Sequence, residues 1–192
     1  MGKLVVVSNV TLDGVTQGLG RSDEDTREGF EHGGWGVPYG DEVMGREMTK
    51  SMGSTRALLF GRRTYQDFFS VWPQQKDNPY SEVLNNTQKY VASTTLSEPL
   101  PWQNSSLLEG ELTEAVAELK ARLDGDLAVL GSGNLVSSLA RAGLVDEYLL
   151  LIHPLVLAQG RRLFEDGTYA ALQLVDTAVT TTGVIIATYR TT

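Results

Sequence analysis

Two stretches of this chain are built alike, "ALLFGRRTYQDFF" and "LAVLGSGNLVSSLARAG". Each runs a short, wholly apolar segment into a glycine bend and continues directly with helical spacing. A run of four or five Leu, Val and Ala residues is too short for a helix and reads as a buried strand. A helix that starts at once from the strand's end must carry the chain back over the sheet, so the next strand pairs in parallel. The other segments fit this scheme. Residues 4–8, 57–60, 89–93 ("KYVAS"), 127–130 and 148–152 read as strands. Asp41 caps a helix reaching to about Met52, and residues 111–123 place Leu112, Val116, Leu119 and Leu123 on one face. The helix of residues 134–142 ends at Gly143, a residue suited to a C-terminal cap.

Between "RRTYQDFFSVW" and "KYVAS" the proline- and asparagine-bearing segment reads as a loop, as do residues 15–40, rich in glycine and charge with Phe30, Trp35 and Tyr39 among them. The last run, "LQLVDTAVTTTGVIIATYR", is two β-rich segments broken at Gly183, a closing hairpin. The expected fold is therefore α/β: a mixed, mostly parallel sheet flanked by helices and finished by an antiparallel hairpin, with residues 1–192 forming a single domain.

Composition narrows the function. A net charge of -8 argues against nucleic acid as a main partner, since a run of phosphates needs many cations to neutralise it. With no cysteine there is no disulfide, no thiol catalysis and no thiolate zinc site. No window reaches the eighteen or so apolar residues of a membrane span, and no secretory signal is recognisable, so a cytoplasmic protein is expected.

Parallel α/β sheets bind ligands at the carboxyl ends of their strands, where helix N-termini offer free N–H groups. Three strand ends carry residues suited to that work. Gly131 and Gly133 lack β-carbons, and with Ser132 and Asn134 they open a helix whose dipole favours an anion; tight strand-to-helix geometry demands glycine equally well. The bend is not a Rossmann fingerprint, because Val136 stands at the third glycine position. Arg62, Arg63 and Thr64 follow Gly61 at a helix start, where arginines oppose the dipole unless an anion is present; the alternative is an ordinary solvated pair. Ser93 and Thr94 end a strand with hydroxyls suited to a phosphate or merely to a polar loop.

Taken in order, "VSNVTLDG", "LLFGRRTY", "YVAST", "LAVLGSGNLVSSL" and "GLVDEYLLLIHPLVLAQGRRLF" resemble the dihydrofolate reductase superfamily, in particular the RibD C-terminal reductase domain and its stand-alone relatives. The resemblance implies a dihydrofolate reductase-like three-layer sandwich and NADPH bound along the carboxyl edge of the sheet. It implies that Arg62, Arg63 and Thr64 meet the adenosine phosphates and that Ser93 and Thr94 lie near the ribose 2′-phosphate. Gly131, Ser132, Gly133, Asn134 and Leu135 would then lie against the pyrophosphate and nicotinamide side. Asp13, in "TLDG", matches an aspartate of the family pattern and is expected to orient substrate or relay a proton, the alternative being a plain Asp-Gly turn. Trp35 and Tyr39 resemble a loop that covers the substrate in stand-alone members.

His32 reads as a solvated loop residue and His153 as a structural one. Asp41, Glu42 and Glu47 lie at the first helix, where dihydrofolate reductases keep a buried carboxylate, and none aligns to that role. Ser132 replaces a glycine of the family's bend, and Ala158 and Gln159 stand where relatives often carry glycine, so that loop's backbone is expected to take another path. The resemblance covers a reductase and not the zinc deaminase of the bifunctional riboflavin enzyme. The expected activity is NADPH-dependent hydride transfer to a C=N or C=O of a pterin- or pyrimidine-like small molecule, with the chain paired as a homodimer through its late strands. A non-catalytic nucleotide- or pterin-binding module, and a riboflavin-pathway pyrimidine reductase acting beside a separate deaminase, are the alternatives.

Overall fold

The computed structural model describes residues 2–75, 78–131, 133–165 and 167–192. Eight strands form one sheet: β1 (Leu4–Thr11), β2 (Thr55–Gly61), β3 (Gln88–Ala92), β4 (Ser105–Leu107), β5 (Asp126–Leu130), β6 (Glu147–His153), β7 (Leu172–Val179) and β8 (Ile185–Thr191). Their order is β4-β3-β2-β5-β1-β6-β8-β7. Pairing is parallel from β4 through β6 and antiparallel for β8 and β7, so the mixed sheet and its closing hairpin are as expected.

The helices are α1 (Glu42–Ser51), α2 (Arg62–Val71), α3 (Pro79–Asn86), α4 (Leu112–Arg122) and α5 (Gly133–Arg141). Side chains of a strand point alternately to the two faces. On one face Leu4, Val6 and Val10 of β1 pack with Val116 and Leu119 of α4 and with Leu135 and Leu139 of α5. On the other, Val7 packs with Leu58 and Phe60 of β2, Tyr65 of α2 and Leu84 of α3, and Met44 and Met48 of α1 join from the edge. Both faces of the central strands are covered, which is why those strands read as unbroken apolar runs rather than alternating ones.

Two elements depart from the expectation. The proline- and asparagine-bearing segment contains α3, capped by Asn78, whose side chain accepts from the Tyr80 N–H, with Pro79 at the first turn. Its C-terminal end is closed from outside the segment. Lys89 is fully buried, and its Nζ donates to the carbonyls of Leu84 at 2.8 Å, Asn85 at 3.3 Å and Thr87 at 2.7 Å. A lysine in the next strand supplies what an eight-residue helix lacks, so local pattern alone does not reveal it. The short edge strand β4 is the second departure; its three residues carry no usable period. Among the described residues no helix is long and apolar enough to cross a membrane.

Candidate active site

Because β5 inserts between β2 and β1, the helices that follow β2 and β5 begin side by side at the carboxyl edge of the sheet. A cleft of about 1000 Å³ opens there. Gly131 adopts φ +65°, and a β-carbon on it would lie 3.4 Å from Thr64 Cγ2, so the two helix starts meet at this glycine. The N-termini differ in one respect. Asp41, Asn78 and Glu111 cap α1, α3 and α4 with their side chains, whereas Gly61 leaves α2 without a side-chain cap among the described residues. The first N–H groups of α2 thus remain available at the cleft, beside two arginines that its dipole disfavours in the absence of an anion.

Of the residues singled out from the sequence, Arg62, Arg63, Thr64, Gly131, Gly133, Asn134 and Leu135 all line this cleft. Ser132 lies outside the described residues. Ser93 and Thr94 are not among the lining residues, although the preceding Ala92 is. The strand stops one residue before Ser93, whose Oγ accepts from the N–H groups of Thr95 at 3.1 Å and Leu96 at 3.0 Å in a turn.

Asp13 does not line the cleft either. Its carboxylate accepts from the Thr11 hydroxyl at 2.6 Å and from the N–H groups of Leu157 at 3.2 Å and Ala158 at 2.8 Å. The Thr11 bond above all, together with the two backbone N–H groups, holds its pKa below the usual aspartate value. A carboxylate so occupied fastens two loops together. The Asp13 carbonyl accepts from Nε of Arg162, a residue that does line the cleft, so Asp13 reaches the site through Arg162.

Trp35 and Tyr39, expected to cover a substrate, are not among the cleft-lining residues. Trp35 is buried with Val15 and Phe30, and its Nε1 donates to the Gln17 carbonyl at 2.6 Å. Tyr39 is half-buried, its carbonyl accepting from the Thr182 hydroxyl. Both rings meet His153 edge-on, with centroids at 5.0 and 5.3 Å. His32 is exposed. Asp41 caps α1 and also accepts from the N–H and hydroxyl of Thr181; Glu42 and Glu47 lie outside the cleft lining. Ala158 takes φ +58°, the left-handed region that a glycine enters freely.

The cleft also holds residues that motif reading passes over. Toward α4 and α5 it is lined by Leu112, Leu135 and Ser138; toward α1, α2 and α3 it is lined by Met48, Phe68 and Tyr80. This second half is largely apolar, and Asn9 of β1 and Asp67 of α2 bring polar groups to it. Burial pushes the Asp67 carboxyl up, the nearby Glu24 charge adding to the effect. Asn9 Oδ1 lies 2.9 Å from Nε2 of His153, which is 1% exposed and whose pKa burial pushes down to about 4. The signal for Asn9 was present in the sequence as Ser8-Asn9, two polar residues between the apolar run of residues 4–7 and Val10. Gln17 ties the long loop into a wall, its amide donating to the carbonyls of Asp25 and Arg27 and accepting from the Arg161 N–H.

Comparison with known proteins places this architecture. A Bacillus subtilis protein, the uncharacterized YyaP, is 27% identical over 98% of this chain and 94% of its own length. A pyrimidine reductase-like protein of Corynebacterium diphtheriae shares the fold with a TM-score of 0.68 at 15% identity, over 100% of this chain and 92% of its own. Dihydrofolate reductase from Enterococcus faecalis, solved with NADP(H), shares it with a TM-score of 0.63 at 13% identity, over 99% and 96% of the two chains. The fold is thus a dihydrofolate reductase-like sandwich. The RibD C-terminal domain profile matches residues 2–186, almost the whole sequence, and the chain belongs to the RibD C-terminal domain family.

Proposed function

We propose that this protein is an NADPH-dependent reductase that passes hydride to a C=N or C=O bond of a planar, pterin- or pyrimidine-like heterocycle. The observation that carries the reading is the meeting of α2 and α5 at Gly131 and Thr64, with Arg62 and Arg63 at an N-terminus that no side chain caps among the described residues. That donor set fits the phosphates of a dinucleotide: orphan N–H groups, guanidinium forks and a glycine that lets the ligand approach the backbone. Arg62, Arg63 and Thr64 would hold the adenosine phosphates, and Gly131, Gly133, Asn134 and Leu135 the pyrophosphate and nicotinamide side. Ser93 and Thr94, which follow the cleft-lining Ala92, would meet the 2′-phosphate, the Ser93 oxygen accepting within its turn and its hydroxyl lying 3.5 Å from that of Thr95.

When bound, NADPH would supply the hydride, and the chain's residues position and exclude water. The apolar half formed by Met48, Phe68 and Tyr80 suits a flat ring. Asp67, with its carboxyl pushed up by burial, is suited to holding the proton that the reduced atom requires. The chain is further proposed to act as a homodimer, since the outermost strand β7 exposes Leu174, Val175 and Val179 along the sheet's edge.

Calorimetric titration with NADPH and NADH tests the cofactor. Tight NADPH binding with weaker NADH binding is expected, and Arg62→Ala should weaken it about tenfold or more, the worth of a hydrogen bond to a charged group. Absence of binding by either nucleotide overturns the reading. Sedimentation equilibrium tests the pairing: a dimer is expected, and Val175→Glu should yield a monomer.

A further inference from the structure

Asn9 and His153 form a pair that the proposed cofactor site does not use. Asn9 sits near the carboxyl end of β1 and lines the cleft, and, two residues after Val7, it lies on the face of the sheet that carries α1, α2 and α3. That is the face of the apolar half, with Met48 and Phe68. His153, at the end of β6, is enclosed by the edges of Trp35 and Tyr39, and its Nδ1 is buried with no hydrogen-bond partner among the described residues.

The two ways of drawing the Asn9–His153 bond are unequal. With the amide oxygen toward the ring, Nε2–H donates to Oδ1 and the orphaned Nδ1 is a bare lone pair. With the amide turned over, Asn9 donates to Nε2, and Nδ1 becomes a buried N–H without an acceptor. Orphaned buried N–H groups are the rarer and costlier case, so the first arrangement holds. Burial keeps the ring neutral, consistent with a single N–H on Nε2. The Asn9 Nδ2 group, which has no partner among the described residues, then faces the cleft as a donor.

We propose that Asn9 selects a ring carbonyl oxygen on the substrate, and that His153 is a positioning residue that keeps the Asn9 N–H bonds turned toward that oxygen. An amide fixed by a buried partner discriminates between a carbonyl and an amino group at one ring position, because an amino group there sets donor against donor. A ligand carrying an oxo group is accepted, and its amino counterpart is refused. The inference rests on the reductase reading for the placement of substrate in the apolar half.

The test uses the full chain saturated with NADPH and two probes differing at one position: pterin, with a carbonyl at C4, and 2,4-diaminopteridine, with an amino group there. Calorimetry should show the wild type preferring pterin by about tenfold. Asn9→Asp, which presents an acceptor in place of the donor, should reverse the preference. His153→Phe should bring the two affinities together, and His153→Gln, whose amide can still donate to Oδ1, should restore part of the difference. A structural role alone would lower both affinities without changing their ratio. NADPH affinity is measured first on every variant and reports whether it is folded. Failure of the wild type to bind NADPH sinks the reductase reading. NADPH binding without pterin binding, or with a preference unchanged in Asn9→Asp, overturns the assignment of Asn9; a preference unchanged in His153→Phe overturns that of His153.

Discussion

The backbone N–H of Ala158 donates to Oδ2 of Asp13 at 2.8 Å, joining residues 145 positions apart. The same carboxylate holds Leu157 and Thr11, and the Asp13 carbonyl holds the Arg162 guanidinium. One aspartate therefore fixes the end of the first strand, the loop after β6 and a cleft-lining arginine.

Replacing Asp13 with asparagine removes one acceptor oxygen and should lower stability by about 1–2 kcal/mol in urea denaturation at pH 7. The pH dependence has a defined sign. The folded pKa lies below the ordinary aspartate value, so the carboxylate's contribution is complete above that value and is lost as pH falls through the folded one. The gap between wild type and Asp13→Asn should therefore narrow below about pH 4. A gap that widened in acid would contradict the role assigned to Asp13.

Ala158 holds φ +58°, where a β-carbon crowds the carbonyl oxygen. Ala158→Gly relieves that contact and gives back part of the gain through the freer unfolded chain. A net stabilisation of about 0.5 kcal/mol is expected, read as a small rise in melting temperature.

Gly131→Ala brings a β-carbon to 3.4 Å from Thr64 Cγ2 at a φ of +65°. About 1–2 kcal/mol of strain is expected from the positive φ, together with roughly tenfold weaker NADPH binding as the new methyl stands between the ligand and the backbone. Thermal unfolding and titration, run on the same sample, separate the two effects.

His153 should stay neutral through the physiological range. Its folded pKa of about 4 lies below the ordinary histidine value, so the stability it confers is present in full above about pH 6.5 and is lost as pH falls toward 4. Up to about 3 kcal/mol is at stake across that window. The ring resonances in NMR should show no titration between pH 5 and pH 8, and His153→Phe should flatten the acid limb of the stability profile.

The elements that pack the sheet were legible because their patterns are local: apolar runs for β1, β2, β5 and β6, and glycine bends for the starts of α2 and α5. Helix α3 was not, because its closing group is Lys89, outside the helix. The same division holds in the cleft. Arg62, Thr64 and Gly131 declared themselves by sitting at strand ends. Asn9 and Asp67 stand within a strand and a helix, and only the packing of α1, α2 and α3 makes that side a slot. Asp13, Trp35 and Tyr39 were singled out by motif, and their side chains are engaged with the neighbouring loops and His153. A motif records where a residue lies along the chain; the hydrogen bonds of Asp13 and the burial of Trp35 depend on what the fold brings to them.

The position of β5 also sets an order of events during synthesis. β2 and β1 are made early, yet they are not neighbours in the finished sheet; the lane between them belongs to a strand that follows α4. Until β5 and α5 have left the ribosome, Arg62 and Thr64 have no Gly131 opposite them, and the emerging chain has no cleft in which to retain a ligand. If the cleft binds NADPH as proposed, a free nucleotide should fail to rescue a nascent chain truncated at α4, and should protect from proteolysis only chains extending past α5.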